Sequence, residues 1–249
     1  MAARQEIMAW CDDFLQVSAF KDYAPNGLQV EGRDTVNKVV GSVTASLAAI
    51  QFAAEQNADL LLVHHGLFWK SEPVPIVGWK HRRIAALIRH NINMAGYHLP
   101  LDAHPEVGNN ARLAALMNWQ IHGQTGEQNL LMFGRPAQAQ TGEQLIAGLA
   151  DKLEQAVVHA GDWSKPIEKL VWCTGGAQGF FQEAIELGAD AFVTGEISEA
   201  QYHLANETGA LFVSAGHHAT ERYGIQALGA RLQQHFAVDF CFFDEQNPA

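Results

Sequence analysis

Leu60-Leu61-Leu62-Val63-His64-His65-Gly66 is the stretch that decides the fold class. Four consecutive aliphatic residues leave no polar position on either side of an extended chain, which marks a strand covered on both faces. Such strands belong to α/β sheets joined by helical crossovers. The run stops abruptly at two histidines and a glycine, so donor side chains stand where the strand gives way to a loop. Upstream, Lys38-Val39-Val40-Gly41-Ser42-Val43 predicts a strand at 39–43, followed by Thr44 or Ser46 as the cap of a helix reaching about Gln56. Asn57-Ala58-Asp59 turns the chain between them. Downstream, a helix is predicted at 84–90 and a second short apolar strand at 92–96. That strand closes on Tyr97-His98-Leu99-Pro100-Leu101-Asp102-Ala103-His104.

Before this region, Ile7, Met8, Trp10, Cys11, Phe14 and Leu15 recur at helical spacing and end at the turn-rich Tyr23-Ala24-Pro25-Asn26-Gly27. The second half repeats the grammar. A strand at 170–172, the turn Cys173-Thr174-Gly175-Gly176 and a helix at 180–187 precede a strand at 191–193, which ends at Thr194-Gly195-Glu196. A helix near 199–207 and a turn at Thr208-Gly209 then lead to Leu211-Phe212-Val213-Ser214-Ala215-Gly216 and to His217-His218. Ala58-Asp59 corresponds to Ala189-Asp190, and 92–98 to 212–218, with Gly96 matched to Gly216. The expected architecture is α/β: two related lobes from an internal duplication, with helices layered around mixed sheets. The first lobe is placed at 1–122 and the second at 165–249. Between them, 123–164 reads as a small insert with a strand at 129–133 and an amphipathic helix at 142–153 capped by Thr141.

A chain of 249 residues that is 48% hydrophobic and 17% charged can bury a large core and is too apolar to be disordered. No run approaches the ~18 apolar residues of a membrane span. Arg4, Glu6, Asp12 and Asp13 make the first fifteen residues unlike a signal peptide, so a cytoplasmic protein away from membranes is expected. Cys11, Cys173 and Cys241 are too scattered for a disulfide framework or a metal knuckle, which fits a reducing compartment. A net charge of −11 argues against general nucleic-acid binding. The basic stretch Lys80-His81-Arg82-Arg83 is a local exception, read as a solvated helix face.

The twelve histidines are unevenly placed. In open α/β sheets the carboxyl ends of strands meet at a ligand-binding crevice, and His64, His65, His98 and His217 all follow predicted strands. Adjacent residues of an extended segment point in opposite directions, so His64 and His65 are expected to serve two neighbouring ions rather than one. Asp102 lies just past the second strand tip. His217 and Glu221, four apart, share a side of a helix beginning near Ala219. The set His64, His65, Asp102, His217 and Glu221 contains no thiolate, which suits zinc, iron, manganese or nickel. His98, His104, His218 and Glu196 are candidates for orienting those ligands or moving protons. No GxxxxGK[ST] loop, GxSxG elbow or HExxH helix is present. Gly175-Gly176 makes either a tight turn or an anion cradle.

Five segments in order closely resemble one family: Tyr23-Ala24-Pro25-Asn26-Gly27-Leu28-Gln29-Val30, Val63-His64-His65-Gly66, His98-Leu99-Pro100-Leu101-Asp102-Ala103-His104-Pro105, Thr194-Gly195-Glu196 and Gly216-His217-His218-Ala219-Thr220-Glu221-Arg222. This is the YbgI-type family of GTP cyclohydrolase 1 type 2 homologues, also called NGG-one-interacting-factor-three-like. The resemblance spans nearly the whole chain. It implies a dinuclear centre of two divalent ions per chain held by His64, His65, Asp102, His217 and Glu221 at strand carboxyl ends, with Glu221 as the bridge. It also implies a toroidal homohexamer whose metal sites face an internal cavity. The short 123–164 segment matches the family's short form. The implied activity is hydrolytic opening of the imidazole ring of GTP or a similar small nucleotide-like molecule, with a related role in handling damaged nucleotides or tolerating radiation. The Cys/His zinc pattern of the classical cyclohydrolase is absent. A non-catalytic metal carrier, insertase or regulator is the alternative.

Overall fold

Alternation along the aliphatic run divides the interior of the first half of the chain in two. The computed structural model describes residues 1–249. In chain order the first elements are β1 (Ala2–Ala3), α1 (Arg4–Phe14), β2 (Gly27–Val30), β3 (Thr35–Val36), β4 (Lys38–Thr44), α2 (Leu47–Glu55), β5 (Leu60–His65), α3 (Gly78–His90), β6 (Asn93–Gly96) and α4 (Leu99–Ala103). There follow α5 (Asn109–Leu116), β7 (Trp119–Thr125), β8 (Leu131–Pro136), α6 (Gly142–Leu153), β9 (Val158–Ala160), β10 (Leu170–Trp172) and α7 (Phe181–Glu186). The chain closes with β11 (Ala191–Thr194), α8 (Glu199–Thr208), β12 (Leu211–Ser214), α9 (His217–Phe236) and β13 (Asp239–Phe242). Residues 1–107 and 224–246 form one unit, and 108–223 with 247–249 a second.

The first unit is built on a five-stranded sheet ordered β13-β4-β5-β6-β2, in which only β2 runs antiparallel to its neighbour. Leu60 and Leu62 pack with Ile7, Met8 and Cys11 of α1 and Leu228 and Leu232 of α9. Leu61 and Val63 face the other way, onto Ile50 and Ala53 of α2 and Ile84 and Leu87 of α3. A strand with both faces covered is mostly apolar, and the two histidines are its last residues, His64 buried and His65 paired with Thr44 of β4. Ser46, not Thr44, caps α2, its Oγ accepting from Ala49 N at 3.0 Å. Leu62 is fully buried, so Leu62→Ala should cost about 2–5 kcal/mol in urea unfolding. A loss below about 1 kcal/mol would contradict this packing.

The second unit's sheet is ordered β7-β8-β10-β11-β12-β9, with β10, β11 and β12 parallel and antiparallel partners on either side. Leu170, Trp172, Val193 and Val213 pack against Leu145, Leu149 and Leu153 of α6. On the opposite face Phe181, Phe192 and Phe212 stack together. The 123–164 segment is thus no appendage: β8 and β9 pair with β10 and β12, and α6 covers the sheet. Three central strands of three or four residues need those flanking partners. Residues 224–246, in turn, complete the first unit, with the end of α9 in its core and β13 beside β4.

Both units carry the same local device. Asp59 accepts from the backbone N–H groups of Asn37 and Lys38, and Asp190 from those of Glu168 and Lys169. Each tethers the start of one parallel strand to the next. Counting from these aspartates, Val63 pairs with Gly96 and Thr194 with Ser214. The repeat therefore equates Gly96 with Ser214, two residues from the expected match with Gly216. Gly216 instead makes the positive-φ turn (φ +92) into α9. By the same register Glu196 stands where His65 stands, so the repeat duplicates the scaffold without duplicating its donors. No helix is long and apolar enough to cross a membrane.

Candidate metal centre

In the first unit, β5 and the loop after β6 bring donors together. His64 is buried and its Nδ1 lies 2.9 Å from the carbonyl oxygen of Tyr97. Donation to that carbonyl fixes the tautomer with its lone pair on Nε2, which lies 3.4 Å from Asp102 Oδ1. Asp102 is itself buried, in the first turn of α4. His65 Nδ1 lies 3.1 Å from Thr44 Oγ1 on the neighbouring strand. The two histidine rings stand at the end of β5 with their centroids 4.6 Å apart. Gly66 follows without a side chain, and a Cβ there would overlap the Gln29 amide, whose Oε1 accepts from Leu67 N.

His98 joins this group, with donor atoms of His64, His65 and His98 all within 4.8 Å of one another. Its Nδ1 lies 2.9 Å from Asp22 Oδ1, and its N–H donates to Asn26 Oδ1 at 2.7 Å. Asp22 also accepts from Ala24 N, Leu99 N and Asn26 Nδ2. Burial works against the Asp22 charge, but hydrogen bonds and the charge of His98 prevail and hold its carboxyl well below the usual range. The sequence alone does not mark Asp22, Thr44 or Gln29 as site residues. Only Asp22 carried a local signal, the Asp-x-x-Pro-Asn turn whose aspartate accepts from the N–H two residues on. His104 belongs elsewhere: it bridges Phe14 O and the N–H groups of Glu106 and Val107, and burial lowers its pKa.

In the second unit the donors stand at the start of α9. The helix begins at His217 rather than Ala219, so His217 and Glu221 are one turn apart, with His217 Nε2 3.2 Å from Glu221 Oε2. His217 Nδ1 meets Glu196 Oε1 at 2.7 Å, and Gln178 Nε2 donates to Glu196 Oε2. The Gly175-Gly176 turn lies against these carboxylates. Gly175 N donates to Thr220 Oγ1, and Gly175 O accepts from Thr194 Oγ1 and Gly195 N. Gly195 must lack a side chain, since a Cβ there would come within 2.6 Å of His217 Cα. His218 is buried, and its backbone N–H donates to Ala249 O.

Burial disfavours a charged His217 ring, but hydrogen bonds and charge from Glu221 and then Glu196 outweigh it and push the pKa up to about 9. A raised folded-state pKa contributes stability that is complete below about 6.5 and is lost as pH rises through about 9. Metal-free protein should accordingly lose stability across that interval in unfolding measurements, with a shallower loss in Glu196→Gln. Identical pH profiles for the two would contradict this pairing.

An α/β scaffold whose strand ends and adjoining helix carry imidazole and carboxylate donors, with no thiolate, defines a protein able to hold hard or borderline metal ions. The chain belongs to the Duf34/NIF3 (NGG1p interacting factor 3) family, whose model matches residues 2–248. A Neisseria meningitidis serogroup A protein described as "GTP cyclohydrolase 1 type 2 homolog" is 58% identical over 249 residues, 100% of both chains. A Yersinia pestis protein of the same description is 50% identical over 236 residues, 94% of this chain and 95% of its own. The solved structure described as "Structural genomics, protein ybgI, unknown function" matches with a TM-score of 0.97 at 43% identity, covering 100% of each chain.

Proposed function

We propose that this chain is a metal-dependent hydrolase of small nucleotide-like molecules, in which His64, His65, Asp102, His217 and Glu221 serve one pair of divalent ions. The observation that carries this reading is the first unit's imidazole cluster, with His64 buried and fixed in the tautomer that a ligand requires and a buried carboxylate beside it. Nitrogen and oxygen donors without sulfur fit zinc, iron, manganese or nickel. Two such ions, when bound, polarise the bond attacked and make water more acidic. The chain's residues do the rest. Tyr97 O and Thr44 Oγ1 hold the rings of His64 and His65. Glu196, hydrogen-bonded to His217 Nδ1 and partly exposed, is placed to take up or return a proton.

Two aromatic side chains support a flat-ringed substrate. Tyr23 is 53% exposed, and its ring lies 4.9 Å from that of His98 and 5.8 Å from that of Trp69. Lys70 ties the two loops together, donating from its backbone N to Tyr23 O and from Nζ to Asp22 O. Neither aromatic belongs to a core cluster, and a stacked base gains roughly 1–3 kcal/mol on such a surface. With a chain charge of −11, phosphate groups would need the ions and local lysines rather than the overall field. The reading also takes from the family a toroidal homohexamer in the cytoplasm, and a role in handling damaged nucleotides.

The test is GTP turnover followed by chromatography before chelation, after it, and after metal is restored. Ring opening that chelation removes and metal restores is the expected result. Metal-loaded protein that leaves GTP unchanged would overturn this substrate and favour a carrier, insertase or regulator.

A further inference from the structure

We infer that Tyr23 and Trp69 form a stacking subsite that takes the substrate by its planar ring, so that the molecule enters base first and any phosphates stay in solvent. The class recognised is a flat heterocycle of the nucleoside kind, phosphorylated or not. This deepens the nucleotide-like substrate proposed above and rests on it. Every residue involved belongs to the first unit.

Both rings border the imidazoles at the end of β5. The Tyr23 ring meets that of His98 edge-on at 4.9 Å, and the Trp69 ring meets His98 edge-on at 5.1 Å and lies 5.8 Å from His65. Tyr23 and Trp69 are 5.8 Å apart at an interplanar angle of 35°. A ring between them would need about 7 Å, from carbon contacts of ~3.5 Å on each side. The ligand therefore rests on their outer faces, with Tyr23 53% exposed and Trp69 half-buried.

A single exposed aromatic ring is ordinary on a protein surface. Here the loops that carry the two rings are tied to each other. Lys70 N donates to Tyr23 O, and Lys70 Nζ donates to Asp22 O at 2.7 Å. The Gln29 amide donates to Pro25 O and accepts from Leu67 N. Beyond Trp69, Glu72 N donates to Trp69 O, and buried Lys80 reaches Glu72, Pro73 O and the face of Phe68. Rings held in place before binding lose little freedom on binding, so more of the stacking energy appears as affinity.

A phosphate gains nothing from an aromatic face. Behind the rings, Asp22 on His98 and Asp102 beside His64 are buried carboxylates that repel it, and the Lys70 ammonium is turned back onto a backbone carbonyl. A nucleotide anchored on the ions by its phosphates would also hold its ring a ribose away from where the proposed opening takes place. Base-first entry puts the ring beside both the aromatic faces and the imidazoles.

The experiment is ligand-observed NMR, by saturation transfer and titration, on metal-stripped, full-length protein with guanosine, GTP and inorganic tripolyphosphate as probes. Wild type is compared with Tyr23→Leu, Trp69→Leu and Tyr23→Phe, each checked for folding by circular dichroism. Guanosine and GTP should bind within ~3-fold of each other, with the base C8 proton the most strongly saturated, and tripolyphosphate should displace neither. Each leucine variant should weaken both ligands about 5–150-fold, equivalent to the ~1–3 kcal/mol of a stacked base at 1.4 kcal/mol per tenfold. Tyr23→Phe, which keeps the ring, should retain the affinity. The rings stand on different loops, so either leucine variant suffices if the other fails to fold. GTP that tripolyphosphate displaces, or that binds more than ~10-fold tighter than guanosine, would overturn the inference and leave the nucleotide reading standing. Affinities unchanged in both leucine variants would overturn it equally. Wild type that binds neither guanosine nor GTP, with or without added metal, would bring down the substrate reading itself.

Discussion

Glu221→Gln is expected to abolish turnover while leaving the fold intact. Gln matches Glu in shape, so the packing of a side chain only 3% exposed is preserved. What is lost is a negative charge lying 3.2 Å from His217 Nε2, in the position proposed to serve both ions. Removing a group that merely orients a ligand costs about 10–100-fold in metal affinity or activity, so a ligand itself should cost at least ~100-fold. The check is GTP turnover together with bound metal per chain. Full turnover with full metal would end the role given to Glu221.

The second large effect is expected from Gly175→Ala. Gly175 has φ +70, and an added Cβ would overlap Glu221 Oε1 and come 3.2 Å from His217 Nε2. Backbone movement cannot relieve the clash cheaply, since the residue is held by Thr220 through its N–H and by Thr194 and Gly195 through its carbonyl. The left-handed conformation alone costs an alanine about 1–3 kcal/mol. Displacement of Glu221 should follow, with loss of metal. Gly176→Ala is the control, because a Cβ there meets Glu196 and His217 only at 3.5 Å, an ordinary contact. Thermal unfolding and metal content should separate the two. Equal behaviour would show that the turn does not shape the Glu221 carboxylate.

These expectations lean on parts of the molecule that differ in how far the sequence discloses them. The parallel strands β4, β5, β6, β10, β11 and β12 were legible because each is covered on both faces and so is mostly apolar. The helices α2 and α6 were legible from their periodicity and caps. Apart from β8 (Leu131–Pro136), expected at 129–133, the edge and flanking strands were not. β2 begins at Gly27, inside a stretch with turn composition, and is a strand because β6 offers it a partner. β9 and β13 are three and four residues long and likewise owe their form to neighbours distant in sequence. The donors announced themselves by type and by their place after strands. Asp22 showed only its local turn signal, because its contact with His98 spans 76 residues and exists only in the fold. His64 and His65 are the last two residues of β5, as the abrupt end of the aliphatic run predicts.

The most direct measurement of the central claim is metal content by elemental mass spectrometry on protein purified without added metal. About two divalent ions per chain, reduced in His64→Ala and in Glu221→Gln, is the expected result. Protein that carries no metal and takes none up when manganese, iron, nickel or zinc is supplied would contradict it.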